Sequence, residues 1–273
     1  MTAMETSAAR IGIVGCGGRM GRMLIAEIAA TEGCAVAGGI EPAGSPALGH
    51  DLGELAGLGA LGVTAGSDPA SLFAASDVVI DFTVPAATVA HARLAAAQGT
   101  PMVIGTTGLD AAQTEAVREA AGRTAIVWSA NMSLAVNLLF GLVEQTAQRL
   151  GPDYDIEILE MHHRHKIDAP SGTALALGKA AAAGRGVSLD DVSQRARDGH
   201  TGARRSGDIG FAVLRGGDVA GEHVVMFATD GERLELGHKA TTRRTFARGA
   251  VRAARWLVGR PPGLYGMKDV LGL

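Results

Sequence analysis

The sequence predicts an α/β fold, a Rossmann-like doubly wound parallel sheet, joined to a second α+β domain. Three observations predict it. From Ile11 to Trp128, short apolar runs alternate with helical stretches, as in successive βαβ units with right-handed crossovers. A glycine-rich turn, Gly15 to Gly21, joins the first run to the first helix. Beyond residue 208 the strands come without helices between them, as in a mixed or antiparallel sheet.

Each element has a local reason. Ile11–Val14 is apolar at consecutive positions and ends in glycines, which marks a buried strand. Met20–Ala30 carries Met20, Met23, Leu24 and Ile28 at helical spacing, and Cys34–Ile40 is a second strand closed by Glu41 and Pro42. Residues 43–67, rich in Gly and Ala, read as loop plus a short helix. Asp77–Phe82 is a buried strand, and Pro85 opens an alanine-rich helix to Gln98 because proline suits a first helical turn. Pro101–Ile104 is a strand, Asp110–Gly122 a helix and Ala125–Trp128 a further strand. Leu134–Leu150 is one long helix, Ile156–Met161 a strand and Ser171–Ala183 a helix. Residues 184–207, with many Arg, Asp and Gly, read as exposed loop. Ile209–Leu214 and His223–Ala228 are strands, and Asp230-Gly231 turns the chain into Leu234–Leu236. Thr245–Val258 is the final helix, before a tail that Pro261-Pro262 makes irregular.

Composition excludes several classes of function. The net charge of −3, from 25 Lys+Arg against 28 Asp+Glu, points to neither nucleic acid nor a membrane surface. Cys16 and Cys34 form no metal-like pair and are too few for a disulfide scaffold, which fits a reducing compartment. The first ten residues, MTAMETSAAR, lack the basic and apolar regions of a signal peptide and read as a loose tail. No uncharged stretch reaches the ~18 apolar residues of a membrane helix.

Three segments carry chemistry. In Gly15-Cys16-Gly17-Gly18-Arg19-Met20-Gly21, backbone N–H groups and the helix dipole can hold a pyrophosphate. A glycine-rich turn can also be only a tight strand-to-helix connection. Glu41 strengthens the ligand reading, because it ends the second strand about twenty residues later, where an acid binds an adenosine ribose. The strand-end loops Phe82-Thr83, Gly105-Thr106-Thr107-Gly108 and Ser129-Ala130-Asn131-Met132 then fall together on one edge of the sheet. Third, Glu160 to Ala174 reads EMHHRHKIDAPSGTA. Five basic side chains, His162 to Lys166, precede a helix start with Ser171 as N-cap and N–H groups at Gly172 and Thr173, a setting suited to carboxylates and proton transfer. A solvated basic loop is the plain alternative. A metal site at His162, His163 and His165 is disfavoured, because no carboxylate or thiolate ligand has a plausible spacing and a lysine sits among the histidines.

The run HHRHKIDAPSGTA, with the GCGGRMG turn and GTTG before it, resembles the dihydrodipicolinate reductase family, the 4-hydroxy-tetrahydrodipicolinate reductases. The resemblance covers nearly the whole chain, down to Gly266-Met267-Lys268. It implies reduction of 4-hydroxy-tetrahydrodipicolinate by NADH or NADPH in a cytoplasmic homotetramer. It implies a dinucleotide-binding domain at 1–133 completed by 241–273, and a substrate and oligomerisation domain at 134–240. His162 and Lys166 would move protons, and His163, Lys166, Ser171, Gly172 and Thr173 would hold carboxylates. Gly15, Cys16, Gly17, Gly18, Arg19, Met20, Glu41, Gly105, Thr106, Thr107, Ser129, Ala130, Asn131 and Met132 would hold the cofactor, with no metal. The residues themselves do not choose His162 over His165 as the acid. Another two-domain amino-acid or semialdehyde dehydrogenase, or a dinucleotide sensor without catalysis, would share the fold; the dense His/Lys loop argues against a sensor. Some members of the family carry an arginine directly after the ribose-binding acid, where this chain has Pro42. NADH is therefore expected to serve at least as well as NADPH, with Arg19 as the nearest cation for a 2′-phosphate.

Overall fold

A computed structural model describes residues 8–273. The expected N-terminal tail lies outside the described residues as far as residue 7. In chain order the elements are β1 (Ala9–Val14), α1 (Arg19–Ala29), β2 (Cys34–Ile40), α2 (Leu52–Leu55), β3 (Ala65–Gly66), α3 (Pro69–Ala75), β4 (Val78–Asp81), α4 (Pro85–Gln98), β5 (Met102–Ile104), α5 (Ala111–Ala121) and β6 (Ala125–Trp128). There follow α6 (Leu134–Leu150), β7 (Asp155–His162), α7 (Gly172–Gly184), α8 (Leu189–Val192), β8 (Ser193–Gln194), β9 (Ile209–Arg215), β10 (Gly221–Thr229) and β11 (Glu232–Ala240). The chain ends with α9 (Arg244–Leu257), β12 (Gly263–Tyr265) and α10 (Met267–Leu271). Two units result: one runs to Leu134 and takes up Arg244–Gly272, the other is Ala135–Arg243 with Leu273.

The first unit holds a seven-stranded sheet in the order β12-β6-β5-β4-β1-β2-β3, parallel at every pairing. Strands buried on both faces must be apolar throughout, which Val78, Val79 and Ile80 satisfy. The order reverses at β1, whose neighbours are β2 and β4, so the glycine-rich turn after β1 lies where such sheets bind ligands. One side of the sheet is closed by α1 and by α9, whose Ala247, Ala250, Val251, Ala254 and Leu257 are buried against Ile11, Ile13 and Ile80. Each fully buried valine, leucine or isoleucine side chain contributes roughly 1.5–3 kcal/mol.

The second unit holds a mixed sheet in the order β11-β10-β7-β9-β8. β10 runs antiparallel to β7 and β11, and β7 and β9 are parallel. Ile156, Ile158, Val225 and Phe227 pack onto Leu139 and Val143 of α6 and Leu177 and Ala181 of α7. β7 alternates strictly, with residues 156, 158, 160 and 162 buried.

The structure departs from the sequence expectation in three places. Pro69–Ala75 is a helix, started by Asp68, whose carboxylate accepts from the N–H groups of Ala70 and Ser71, with Pro69 in the first turn. Residues 184–207, expected as exposed loop, instead contain α8 and β8, whose Ser193 and Gln194 pair in parallel with Ile209 and Gly210 of β9. The tail after Pro262 is regular: β12 pairs with β6, and α10 packs Met267 and Val270 into the core. Two prolines delay the chain before the strand without preventing it.

Candidate active site

In the first unit the carboxyl ends of the parallel strands carry the expected loops. Gly15 has φ 74°, and a side chain at Gly21 would lie 2.1 Å from Gly15 O, so the turn needs glycine at both places. Gly18 N–H donates to Gly15 O at 3.1 Å, while Gly17 N–H donates to Glu41 Oε1 at 2.7 Å. Glu41 thus sits beside the glycine turn, in a cleft of ≈ 530 Å³ lined also by Gly15, Gly17 and Gly18. Cys16 is fully buried, and burial, then the Glu41 charge, pushes its thiol up to about 11. It offers only backbone to a ligand and is no nucleophile at neutral pH. Arg19 is exposed at the helix start and Met20 packs half-buried against the core.

The loops after β4 and β5 are tied together around a buried carboxylate. Asp81 accepts from Thr83 N–H (2.8 Å) and Thr83 Oγ–H (2.6 Å) and pairs with His91 Nδ1 (2.8 Å). Thr106 Oγ accepts from Thr83 N–H at 3.0 Å and from Thr88 Oγ–H at 2.8 Å. Thr106 is therefore 3 % exposed and braces the loops, whereas Thr107 is open to solvent. Ser129 Oγ–H donates to Asn131 O (2.8 Å), and Asn131 Oδ1 accepts from Ser133 N–H (2.9 Å), which shapes the turn around exposed Ala130. Met132 is buried in the core, so its side chain is structural. Asp81, Thr88 and His91 were not evident in the sequence as a group, because their contacts join the end of β4, the helix α4 and the loop after β5.

In the second unit, inward position 160 of β7 holds a carboxylate. Glu160 is 1 % exposed and accepts from Arg215 Nη1 and Nη2 (2.8 and 3.0 Å) and Ser171 N–H (3.0 Å), and it pairs with His162 Nδ1 (2.5 Å). Burial alone would raise its pKa, but the bonds from Arg215, His162 and Ser171 outweigh burial and hold it below the usual range. Glu160 is thus the ionised partner that receives the His162 Nδ1 proton, and leaves Nε2 as the reactive nitrogen. A side chain at Gly221 would come within 3.0 Å of that Nε2, so glycine keeps it uncovered. Burial pushes His162 below its ordinary pKa, more strongly than Glu160 raises it, and the positive charges of Lys166 and Arg215 add to the lowering. His162 is consequently neutral at pH 7.

Around this pair the loop is fastened at several points. Lys166 Nζ donates to Asp168 Oδ1 at 2.6 Å, and Arg215 Nη2 reaches Asp168 O at 2.7 Å. Ser171 caps α7 by accepting from Ala174 N–H (3.1 Å), and its Oγ also meets His223 Nε2 (3.1 Å). With its N–H on Glu160 as well, Ser171 is 2 % exposed; the accessible part of the helix start is Gly172. His163 Nδ1 is buried with no hydrogen-bond partner among the described residues. His165 is exposed, its ring tilted 38° to that of His163 with centroids 6.3 Å apart. Among the described residues, no group of three His, Cys, Asp or Glu side chains is placed to hold a metal ion.

Glu160, Arg215 and His223 carried no role in the sequence reading. The signal for Glu160 was available: it occupies the inward phase of an alternating strand that otherwise reads Ile156, Ile158 and His162. Arg215 and His223 join the site only through strand pairing, His162 to Arg215 and Glu160 to His223.

The chain matches the family described as dihydrodipicolinate reductase, N-terminus, over residues 9–132 and its C-terminus counterpart over residues 135–271. It is 57% identical to a 4-hydroxy-tetrahydrodipicolinate reductase of Parvibaculum lavamentivorans, covering 98% of this chain and 99% of that protein. It is also 57% identical to one of Brucella melitensis, covering 96% and 98%. Among solved structures, a dipicolinate-bound dihydrodipicolinate reductase from Paenisporosarcina sp. TG-14 has a TM-score of 0.76 at 23% identity, covering 96% of this chain and 99% of that one.

Proposed function

This chain belongs to the dihydrodipicolinate reductase family, and from that premise we propose that loop 162–173 binds the substrate and manages its proton while the glycine-rich turn and Glu41 bind the cofactor. The reaction is reduction of 4-hydroxy-tetrahydrodipicolinate by NAD(P)H, in lysine and diaminopimelate biosynthesis. Substrate, reduced cofactor and one proton give tetrahydrodipicolinate, oxidised cofactor and water. When bound, the reduced nicotinamide supplies the hydride. The cradle at Gly15–Gly21, the helix start behind it and Glu41 fit a dinucleotide: side chains at Gly18 and Gly21 would press on the backbone of Gly15 and Cys16, and one at Gly17 would press on Ala47 and Glu41.

The observation that carries the second half is the bond from His162 Nδ1 to buried Glu160. It fixes the tautomer and presents Nε2 for proton exchange. Because burial keeps His162 neutral, the proton comes more readily from the Lys166 ammonium, which carries three donors and only one Asp168 bond. The same ammonium pairs with a substrate carboxylate. His163, with its unpartnered Nδ1, and the N–H groups opening α7 at Gly172 and Thr173 serve the carboxylates. Ser171 holds this helix start and Glu160 in register rather than meeting the substrate with its buried hydroxyl. Following NAD(P)H absorbance with the cyclic imine, prepared fresh by the preceding condensation, tests the assignment. No oxidation above the enzyme-free rate refutes it.

We also propose a cytoplasmic homotetramer. Support comes from the family and from the outer face of the mixed sheet, where Leu159, Met161, Val224, Met226 and Leu214 are only partly covered. No helix among the described residues is long and apolar enough to cross a membrane. Sedimentation equilibrium that returns a monomer mass would refute the tetramer.

A further inference from the structure

We propose that Arg22, assisted by His50, admits the 2′-phosphate of NADPH; the proposal rests on the dinucleotide reading above. The cleft beside the glycine turn contains Glu41, whose carboxylate suits the free ribose hydroxyls of NADH and repels a 2′-phosphate. A phosphate monoester there carries about −1.5 to −2 charges near neutral pH, so it needs a cation. The residue that follows the acid supplies none. Glu41 N–H already donates to Gly66 O at 3.0 Å, and Pro42 has no N–H.

Two of the residues that line the cleft can carry positive charge, Arg22 and His50. Arg19, the cation suggested by sequence, is exposed one turn earlier on α1 and does not line it. Arg22 is anchored: its Nε–H donates to Gly17 O at 2.9 Å. The N–H of that same Gly17 donates to Glu41 Oε1 at 2.7 Å. The guanidinium and the carboxylate are therefore fastened to the two polar groups of one residue and flank the same small volume. Among the described residues the Nη groups of Arg22 make no other hydrogen bond, which leaves the end of the guanidinium fork for phosphate oxygens. His50 and Ser45, on the loop after β2, face the same cleft; Ser45 Oγ accepts from Ala47 N–H at 3.3 Å and keeps its own proton to donate. The arrangement compensates the 2′-phosphate without weakening the contact of Glu41 with unphosphorylated ribose, and gives one site able to take either cofactor.

Calorimetric titration of the full chain with 5′-AMP and with adenosine 2′,5′-bisphosphate isolates this group from turnover. Arg22→Ala should weaken the bisphosphate on the order of tenfold, as loss of a hydrogen bond to a charged group implies, and change AMP by less than about twofold. His50→Ala should show the same selectivity with a smaller loss, and added salt should weaken the bisphosphate more than AMP. Equal weakening of both ligands by Arg22→Ala, or a selective loss confined to Arg19→Ala, overturns the proposal while leaving the dinucleotide site intact. If neither ligand binds the wild-type chain, the dinucleotide reading itself fails, and this proposal with it.

Discussion

His223 links the site to acid stability in a way that can be worked through. The imidazole is 4 % exposed and touches Ser171 with Nε2, while Nδ1 is buried without a partner among the described residues. Burial, then the charge of neighbouring His162, pushes its pKa from 6.5 to about 4. A folded-state pKa below the unfolded one means that the unfolded chain takes up its proton first as pH falls. This group's contribution is therefore complete above pH 6.5, declines through the window down to about 4 and is fully lost below it. Linkage over that window gives about 2 kcal/mol lost at pH 5, rising to about 3 kcal/mol. His223→Gln removes the titration and keeps a polar partner for Ser171. Urea unfolding at pH 7.5 and pH 5, at one protein concentration because association shifts apparent stability, should show the variant losing about 2 kcal/mol less than wild type between the two. His162 and His238, also lowered by burial, remain in both proteins and cancel. An equal loss in the two proteins would refute the assignment of a neutral, buried His223.

Three further outcomes test the chemistry. His162→Gln should lower turnover by roughly 10²–10⁴-fold with NADH affinity near normal; unchanged turnover would move the proton role to His165. Lys166→Ala should damage kcat and KM together, because one ammonium both pairs with a carboxylate and gives a proton. An effect on cofactor binding alone would contradict its place in the substrate loop. Glu160→Gln removes the charge that favours the imidazolium, so the limb of the kcat/KM pH profile belonging to His162 should move to lower pH. A shift to higher pH, or none in a folded variant, would show that Glu160 does not set His162.

Much of the first unit was legible because each buried parallel strand is a continuous apolar run with glycine or proline at its ends. Cys34–Ile40, Pro85–Gln98 and Leu134–Leu150 have the expected bounds. β12 was hidden because three residues, Gly263–Tyr265, form a strand only by pairing with β6. In the site, the local part was visible: His162 to Thr173 is one contiguous stretch with its own helix start. What composition and spacing could not show was that Arg215, 55 residues away, turns Glu160 into a fully bonded carboxylate. Nor could they place Arg22 rather than Arg19 at the cleft, since helical phase alone separates two exposed arginines three residues apart.

The return of α9 to the first unit has a consequence for how the protein is made. Synthesis delivers Ala9–Trp128 early, yet the face of that sheet that buries Ile11, Ile13 and Ile80 is closed by Ala247, Ala250 and Leu257. Residues 135–243 contain their own sheet and helices and can be completed as soon as they leave the ribosome. The half translated first is therefore the half finished last. Its apolar face waits through more than a hundred codons, the interval in which exposed strands are most prone to aggregate or to need a chaperone.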